Sequence, residues 1–304
     1  MKIKKIIAFV IAFVLLILLT ACADNQSEAA IARVISAANE RGIDLQYVEN
    51  QRYEFFEGNI IEEVMYYALC EYGEYYFTPG NWKADNLLNL IAVSEDAIKF
   101  TKDWLNYEDG GQIAMVYGNK EFKNPDNPDS FIQKFWGGGG GFKGEVFINI
   151  SDRNMPMLIV HEVAHAILRL QEKQSNFPLL NSSSYIEEGL CNVIDYLFFL
   201  ETEHIYDKQR YGTNKEKFNL HKLAPISFNH SNNFEDETEF GNIYPQLMSY
   251  DTAASFVYYL LSHDNSTKED FMRIFEDINL TEEVYGADMD KLIAEWLEFI
   301  EQYK

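Results

Sequence analysis

The sequence predicts an α+β fold, with a small mixed sheet beside one central helix and a mainly helical C-terminal lobe. Three observations predict it. Residues 157–170, MLIVHEVAHAILRL, space their apolar side chains at the helical period. Residues 144–150 alternate as a strand does, and residues 112–117 read as a second, short strand. Downstream, residues 185–195 and 245–263 return to the helical pattern. Ile274, Phe275, Leu292, Ile293, Trp296, Leu297 and Ile300 then fit a small helical tail.

The first 21 of the 304 residues stand apart from any fold. Lys2, Lys4 and Lys5 precede an apolar run from Ile6 to Leu19, and the stretch closes on Leu19-Thr20-Ala21-Cys22. A basic start, an apolar middle and a small-residue end make a secretory leader. The L-T-A-C ending resembles a bacterial lipobox, which implies a lipid (palmitate) on Cys22 and an extracytoplasmic, membrane-tethered chain. What remains is long enough for one large domain or two modest ones, and 47% apolar content supplies ample core. We expect a mainly helical N-terminal region over 22–92 and the chemistry in 93–304. A net charge of −23 excludes nucleic acid and an anionic bilayer surface as partners of the folded part. Beyond Cys22, Cys70 and Cys191 show no framework spacing, so two buried thiols are expected rather than a disulfide.

Along the first third, residues 27–41 look helical, ending at Gly42. Residues 44–56 are mixed and aromatic. Residues 60–76, rich in Tyr and Met, again read as a helix with an aromatic core stripe. Residues 94–107 form the next expected helix, with Ser94 as its N-cap and Glu95 and Asp96 suited to its positive end. Asn124–Ser130, with Pro125 and Pro128, is a loop. Five consecutive glycines, Gly137–Gly141, precede the strand at 144–150. Their small size suits a mobile loop that lets a substrate backbone come close, with that strand as the sheet edge to which an extended peptide adds.

The central helix carries His161-Glu162-Val163-Ala164-His165, an H-E-x-x-H motif. Asn154 suits its N-cap, Pro156 its first turn, and Ile159, Val163, Ala166, Ile167 and Leu170 its core-facing stripe. Residues four apart stand on one helical face, so His161 and His165 can offer two imidazoles to one ion, with Glu162 close by. Zinc accepts neutral imidazole nitrogen and leaves room for a water, which is what metal-assisted hydrolysis needs. A third ligand would complete such a site; the next helix opens Tyr185-Ile186-Glu187-Glu188-Gly189.

An H-E-x-x-H helix followed by a helix bearing Glu-Gly resembles the gluzincin metallopeptidases, the group that includes the aminopeptidase N family. That resemblance implies Zn²⁺ held by His161, His165 and Glu188, the glutamate before the glycine, in a zincin-like catalytic domain. Glu187 is the rival ligand, but neighbours on a helix point about 100° apart, so one of the two faces the ion. Leu168 and Gln171 stand where the metzincin pattern needs Gly and His. Asn192, one turn beyond Glu188, can support an imidazole from behind. The helix over 245–263 resembles one in the same families whose tyrosine hydroxyl stabilises an oxyanion, which assigns that part to Tyr250. It resembles still more the peptidase-MA-type extracellular members. The aminopeptidase G-x-M-E-N segment has no counterpart here, because the equivalent stretch is glycine-rich with Phe142, Lys143 and Gly144.

The resemblance implies a hydrolase acting on peptide or protein substrates, with Glu162 as general base and Tyr250 as oxyanion donor. The alternative is a catalytically silent zincin-like lipoprotein that serves as a binding or scaffold module. The polar, Asn-rich stretch 202–241 is expected to be an irregular insertion over the cleft, with His204, His221 and His230 on its surface.

Overall fold

The computed structural model describes residues 28–56, 58, 60–118, 139–150, 158–171, 179–180, 183–202, 218–230, 247, 249–263 and 266–304. The expected leader, Cys22, residues 124–130, Asn154, Pro156 and His204 lie outside them. The fold is α+β with a small mixed sheet, as expected. Among the described residues no helix is long and apolar enough to cross a membrane.

Helix α1 (28–40) leads into β1 (Leu45–Phe55), β2 (Ile60–Leu69) and β3 (Gly73–Phe77), joined as an antiparallel meander. Residues 60–76 are therefore two strands and not the expected helix. Their apolar positions satisfy either period, and strand pairing decides. Val64, Tyr66 and Ala68 are buried while Met65 and Tyr67 are partly covered, a period of two. Tyr67 pairs with Tyr76 across the ladder, their rings 5.2 Å apart, the kind of aromatic pair that stabilises a pleated surface. Residues 45–77 are thus sheet, flanked by helices on either side, which corrects the mainly helical reading of 22–92.

Helix α2 (Ala84–Leu105) crosses back and returns the chain as β4 (Ile113–Gly118), parallel to β3. The boundary expected at 92/93 falls inside this helix, and one sheet, ordered β1-β2-β3-β4-β6-β5, runs through both supposed parts. Ser94 is not an N-cap: it sits mid-helix, since the apolar spacing of Leu87, Leu88 and Ile91 extends α2 upstream. Its hydroxyl bonds the Leu90 carbonyl at 2.7 Å and the Tyr117 hydroxyl of β4, tying helix to sheet.

Strands β5 (Gly139–Phe142) and β6 (Glu145–Asn149) form a hairpin closed by Lys143 and Gly144, both at positive φ (43° and 84°), as a two-residue hairpin turn requires. Here the expected edge is corrected. The strand at 145–149 is internal, parallel to β4, and the sheet edge is β5, built from the glycine run itself. Met115, Tyr117, Val146 and Ile148 point into the core shared with the helices, while Val116 and Phe147 face the opposite side.

The motif helix α3 (Ile159–Leu170) packs on α2, β5 and β6. It is buried on every face from Ile159 to Leu168, not along one stripe. After the short pair β7 (Leu179–Leu180) and β8 (Ser183–Ser184) come α4 (Tyr185–Glu201), α5 (Leu220–His230) and α6 (Tyr250–Leu261). Helix α6 starts at a capping box in which Ser249 and Thr252 satisfy each other's backbone N–H. The stretch expected to be irregular contains α5, which packs on α6. Helices α7 (Lys268–Glu276), α8 (Thr281–Tyr285) and α9 (Met289–Glu301) complete the lobe, with Leu292, Ile293, Trp296 and Ile300 buried in its core.

Candidate metal centre

Helix α3 presents His161 and His165 on one face, and α4 crosses it so that Glu188 meets both. His161 Nε2 lies 3.1 Å from Glu188 Oε2, His165 Nε2 lies 3.3 Å from it, and the two Nε2 atoms are 3.2 Å apart. All three residues are buried to within 9% exposure, so water does little to screen them.

The outer ring nitrogens fix what the inner ones offer. His161 Nδ1 is 3.2 Å from Asn192 Oδ1, whose amide nitrogen faces the Tyr250 carbonyl, so Nδ1–H donates and Nε2 keeps its lone pair. His165 Nδ1–H donates to Glu187 Oε1 at 2.7 Å, leaving its Nε2 in the same state. Three acceptor atoms thus converge on one point, which suits a cation. The electrostatics favour positive charge at that point, whether a metal ion carries it or, in competition with the metal, a proton on His165. Burial alone would raise the Glu188 carboxyl, yet the two imidazoles hold it well below the usual carboxylate range. Burial opposes charge on His165, and Cys191, Glu188 and Glu187 outweigh it, raising its pKa. Among the described residues, His161, His165 and Glu188 are the group able to hold a metal ion, and their N, N and O donors fit zinc.

Glu187 is turned away from that point. It accepts from His165 on one side and from Arg169 Nη2, at 3.2 Å, on the other. The arrangement separates adjacent glutamates into an inward and an outward partner of the same histidine. Asn192 takes the corresponding place behind His161.

Glu162 is buried beside the pair. Burial pushes its carboxyl above the ordinary value, opposed by His161 and His165 and reinforced by Glu188. Its proximity to β5 accounts for two of the glycines. A Cβ built at Gly139 would stand 3.2 Å from Glu162 Oε1, and one at Gly141 would stand 2.0 Å from the Glu162 carbonyl oxygen. The strand lies flat on the motif helix because these positions carry no side chain. The close approach that the structure shows at these glycines is to α3, whereas the expected one was to a substrate backbone.

Tyr250 opens α6 with its ring 6.0 Å from His161 and 46% of its surface open. Lost solvation, with the charges of Glu188 and Glu162, pushes its hydroxyl well above the usual tyrosine value, so it stays a donor. Gly189 brings it there: a Cβ at that position would be 2.7 Å from the Ala253 backbone, so α4 and α6 cross in contact. Cys191 is buried one turn along α4, its thiol pushed up to about 12 chiefly by burial, and Cys70 is half-buried; both are free.

The sequence passed over two residues. Arg169 was read only as part of the helix, though an arginine four positions beyond His165 stands on the same helical face. His221, expected at the surface, is 5% exposed and bonded to Ser255 Oγ at 2.9 Å inside the C-terminal lobe. Its spacing to Leu220 and Ala224 on α5 was the available signal.

Fold and site together define an α+β protein with a buried two-histidine, one-glutamate group at the crossing of two helices. In comparison with protein-family models and with curated proteins, the chain matches none.

Proposed function

We propose that this chain is a zinc-dependent metallopeptidase, carried outside the cytoplasmic membrane on a lipid-modified Cys22 and related to the gluzincins. The observation that carries the reading is the meeting of His161 Nε2, His165 Nε2 and Glu188 Oε2 within 3.3 Å, with Glu162 buried alongside. Three protein ligands leave a coordination position for solvent, the arrangement of catalytic rather than structural zinc. Bound zinc supplies Lewis acidity, lowering the pKa of water to ~7 and polarising a carbonyl.

The remaining work falls to the protein. Glu162 takes the proton of the attacking water on its carboxylate and returns it to the leaving amine, the part of a general base. Such a step contributes about 10²–10⁴-fold. Tyr250 donates its hydroxyl to the oxygen on which charge develops. Asn192 and Glu187 keep both imidazoles in the ligand tautomer. The outer edge of β5 offers main-chain groups to an extended peptide, beside Glu162.

The deciding experiment is Glu162→Gln on the purified protein. Zinc content should stay at one per chain while hydrolysis of a peptide library, followed by mass spectrometry, falls by at least about 10²-fold. Undiminished cleavage would refute the mechanism. Stoichiometric zinc in the wild type with no cleavage of any peptide would leave the binding-module alternative.

A further inference from the structure

Arg169 lies on the motif helix, one turn past His165, and spans two parts of the proposed site. Its Nη1 donates to the Gly141 carbonyl of the edge strand at 3.0 Å. Its Nη2 meets Glu187 Oε1 at 3.2 Å, the same oxygen that accepts from His165 Nδ1 at 2.7 Å. The guanidinium also lies over the Phe142 ring, 5.6 Å from its centre. One planar cation therefore touches β5 and, through a carboxylate, a metal ligand. Its side chain is only 10% exposed, so the link is desolvated and sensitive to geometry.

We infer that Arg169 is a positioning residue that couples the seating of a peptide strand along Gly139–Phe142 to the orientation of His165. The inference rests on the metallopeptidase reading and adds a linkage within that site. β5 has no side chain at 139, 140 or 141 to hold it, so its register over Glu162 depends on main-chain contacts. Of these, the Arg169 bond is one that reaches the ligand shell. A peptide that adds to the outer edge of β5 pulls on the Gly141 carbonyl. That pull is transmitted through the fork to Glu187 and the His165 ring, and by reciprocity zinc on His165 steadies β5. Lysine keeps the charge but cannot make two divergent bonds from one plane.

The test compares wild type, Arg169→Lys, Arg169→Met and Glu187→Gln in the full chain. Three quantities are read: the zinc dissociation constant against a chromophoric chelator, KM for a peptide the wild type cleaves, and amide exchange on β5 with and without Zn²⁺. Arg169→Lys should weaken zinc about 10–100-fold, raise KM, and abolish the slowing of β5 exchange by zinc. Glu187→Gln should weaken zinc on the same scale and likewise abolish the slowing of β5 exchange by zinc, while β5 exchange without zinc stays as in wild type because the Gly141 bond survives. Should Arg169→Met fail to fold, Arg169→Lys decides. Wild-type zinc affinity in Arg169→Lys, or β5 exchange that still responds to zinc, would overturn the coupling alone. A wild type that binds no zinc would overturn the coupling together with the reading beneath it.

Discussion

Adding one methyl group to the glycine strand separates two positions that look identical in the sequence. At Gly141 a Cβ would lie 2.0 Å from the Glu162 carbonyl oxygen, 2.9 Å from its carbonyl carbon and 3.1 Å from the Ala166 nitrogen. All three are helix backbone, which cannot rotate aside as a side chain can. To bring the closest contact to 3.0 Å the strand must retreat by roughly 1 Å, since van der Waals repulsion at shorter range is prohibitive. That retreat strains the Arg169 bond to Gly141 and the pairing of β5 with β6. Overpacking of this kind costs about 1–3 kcal/mol, and a lost charge-assisted hydrogen bond about 1.5–3 more. We expect Gly141→Ala to lower the unfolding free energy by about 3 kcal/mol or more. At Gly140 a Cβ meets nothing within 4 Å and φ is not positive, so Gly140→Ala should be neutral or stabilise by up to about 1 kcal/mol through the unfolded chain. Urea unfolding followed by far-UV circular dichroism gives both numbers, with m-values compared to exclude a change in the unfolded state. Equal stabilities for the two variants, within about 0.5 kcal/mol, would refute the packing of β5 on the motif helix.

Three further outcomes follow from the same geometry. Tyr250→Phe should lower kcat with zinc content intact, and a wild-type kcat would leave the tyrosine with a packing role against His161. Glu188→Ala should strip zinc, measured by atomic absorption after dialysis, whereas Glu187→Ala should weaken it about 10–100-fold; the reverse order would exchange their parts. Burial holds the His221 imidazole down to about 4, below the ordinary 6.5 of the unfolded chain. A depressed folded pKa means the unfolded chain binds the extra proton first. His221 therefore contributes stability above pH 6.5 that is lost as pH falls through 6.5 towards 4. Thermal melts of wild type and His221→Gln across that window should converge as the pH drops, and parallel curves would refute the assignment.

The H-E-x-x-H spacing was legible in the chain because it is a local geometric fact: four residues make about one turn, so two imidazoles share a face in any helix that forms. The helices of the C-terminal lobe and the strand at 145–149 were legible for the same reason, their periods being set by neighbouring residues. Residues 60–76 were not, since apolar positions there fit both periods and only the hydrogen-bonding partners β1 and β3 select strand. Ser94 misled because a good capping residue is equally at home mid-helix when its hydroxyl bonds back to the preceding turn, as it does at Leu90.

What the sequence by itself determined, then, is the donor set of one helix and the period of most elements. Which glutamate faces inward, which neighbour fixes each imidazole, and why the edge strand is glycine were decided by the crossing of α3 with α4 and with β5. Contacts between residues 22 to 31 positions apart depend on interaxial angle and closest approach, and Gly141 and Gly189 set that approach by lacking a side chain. No local pattern encodes an angle between elements; it emerges when the buried faces of the whole core are satisfied together.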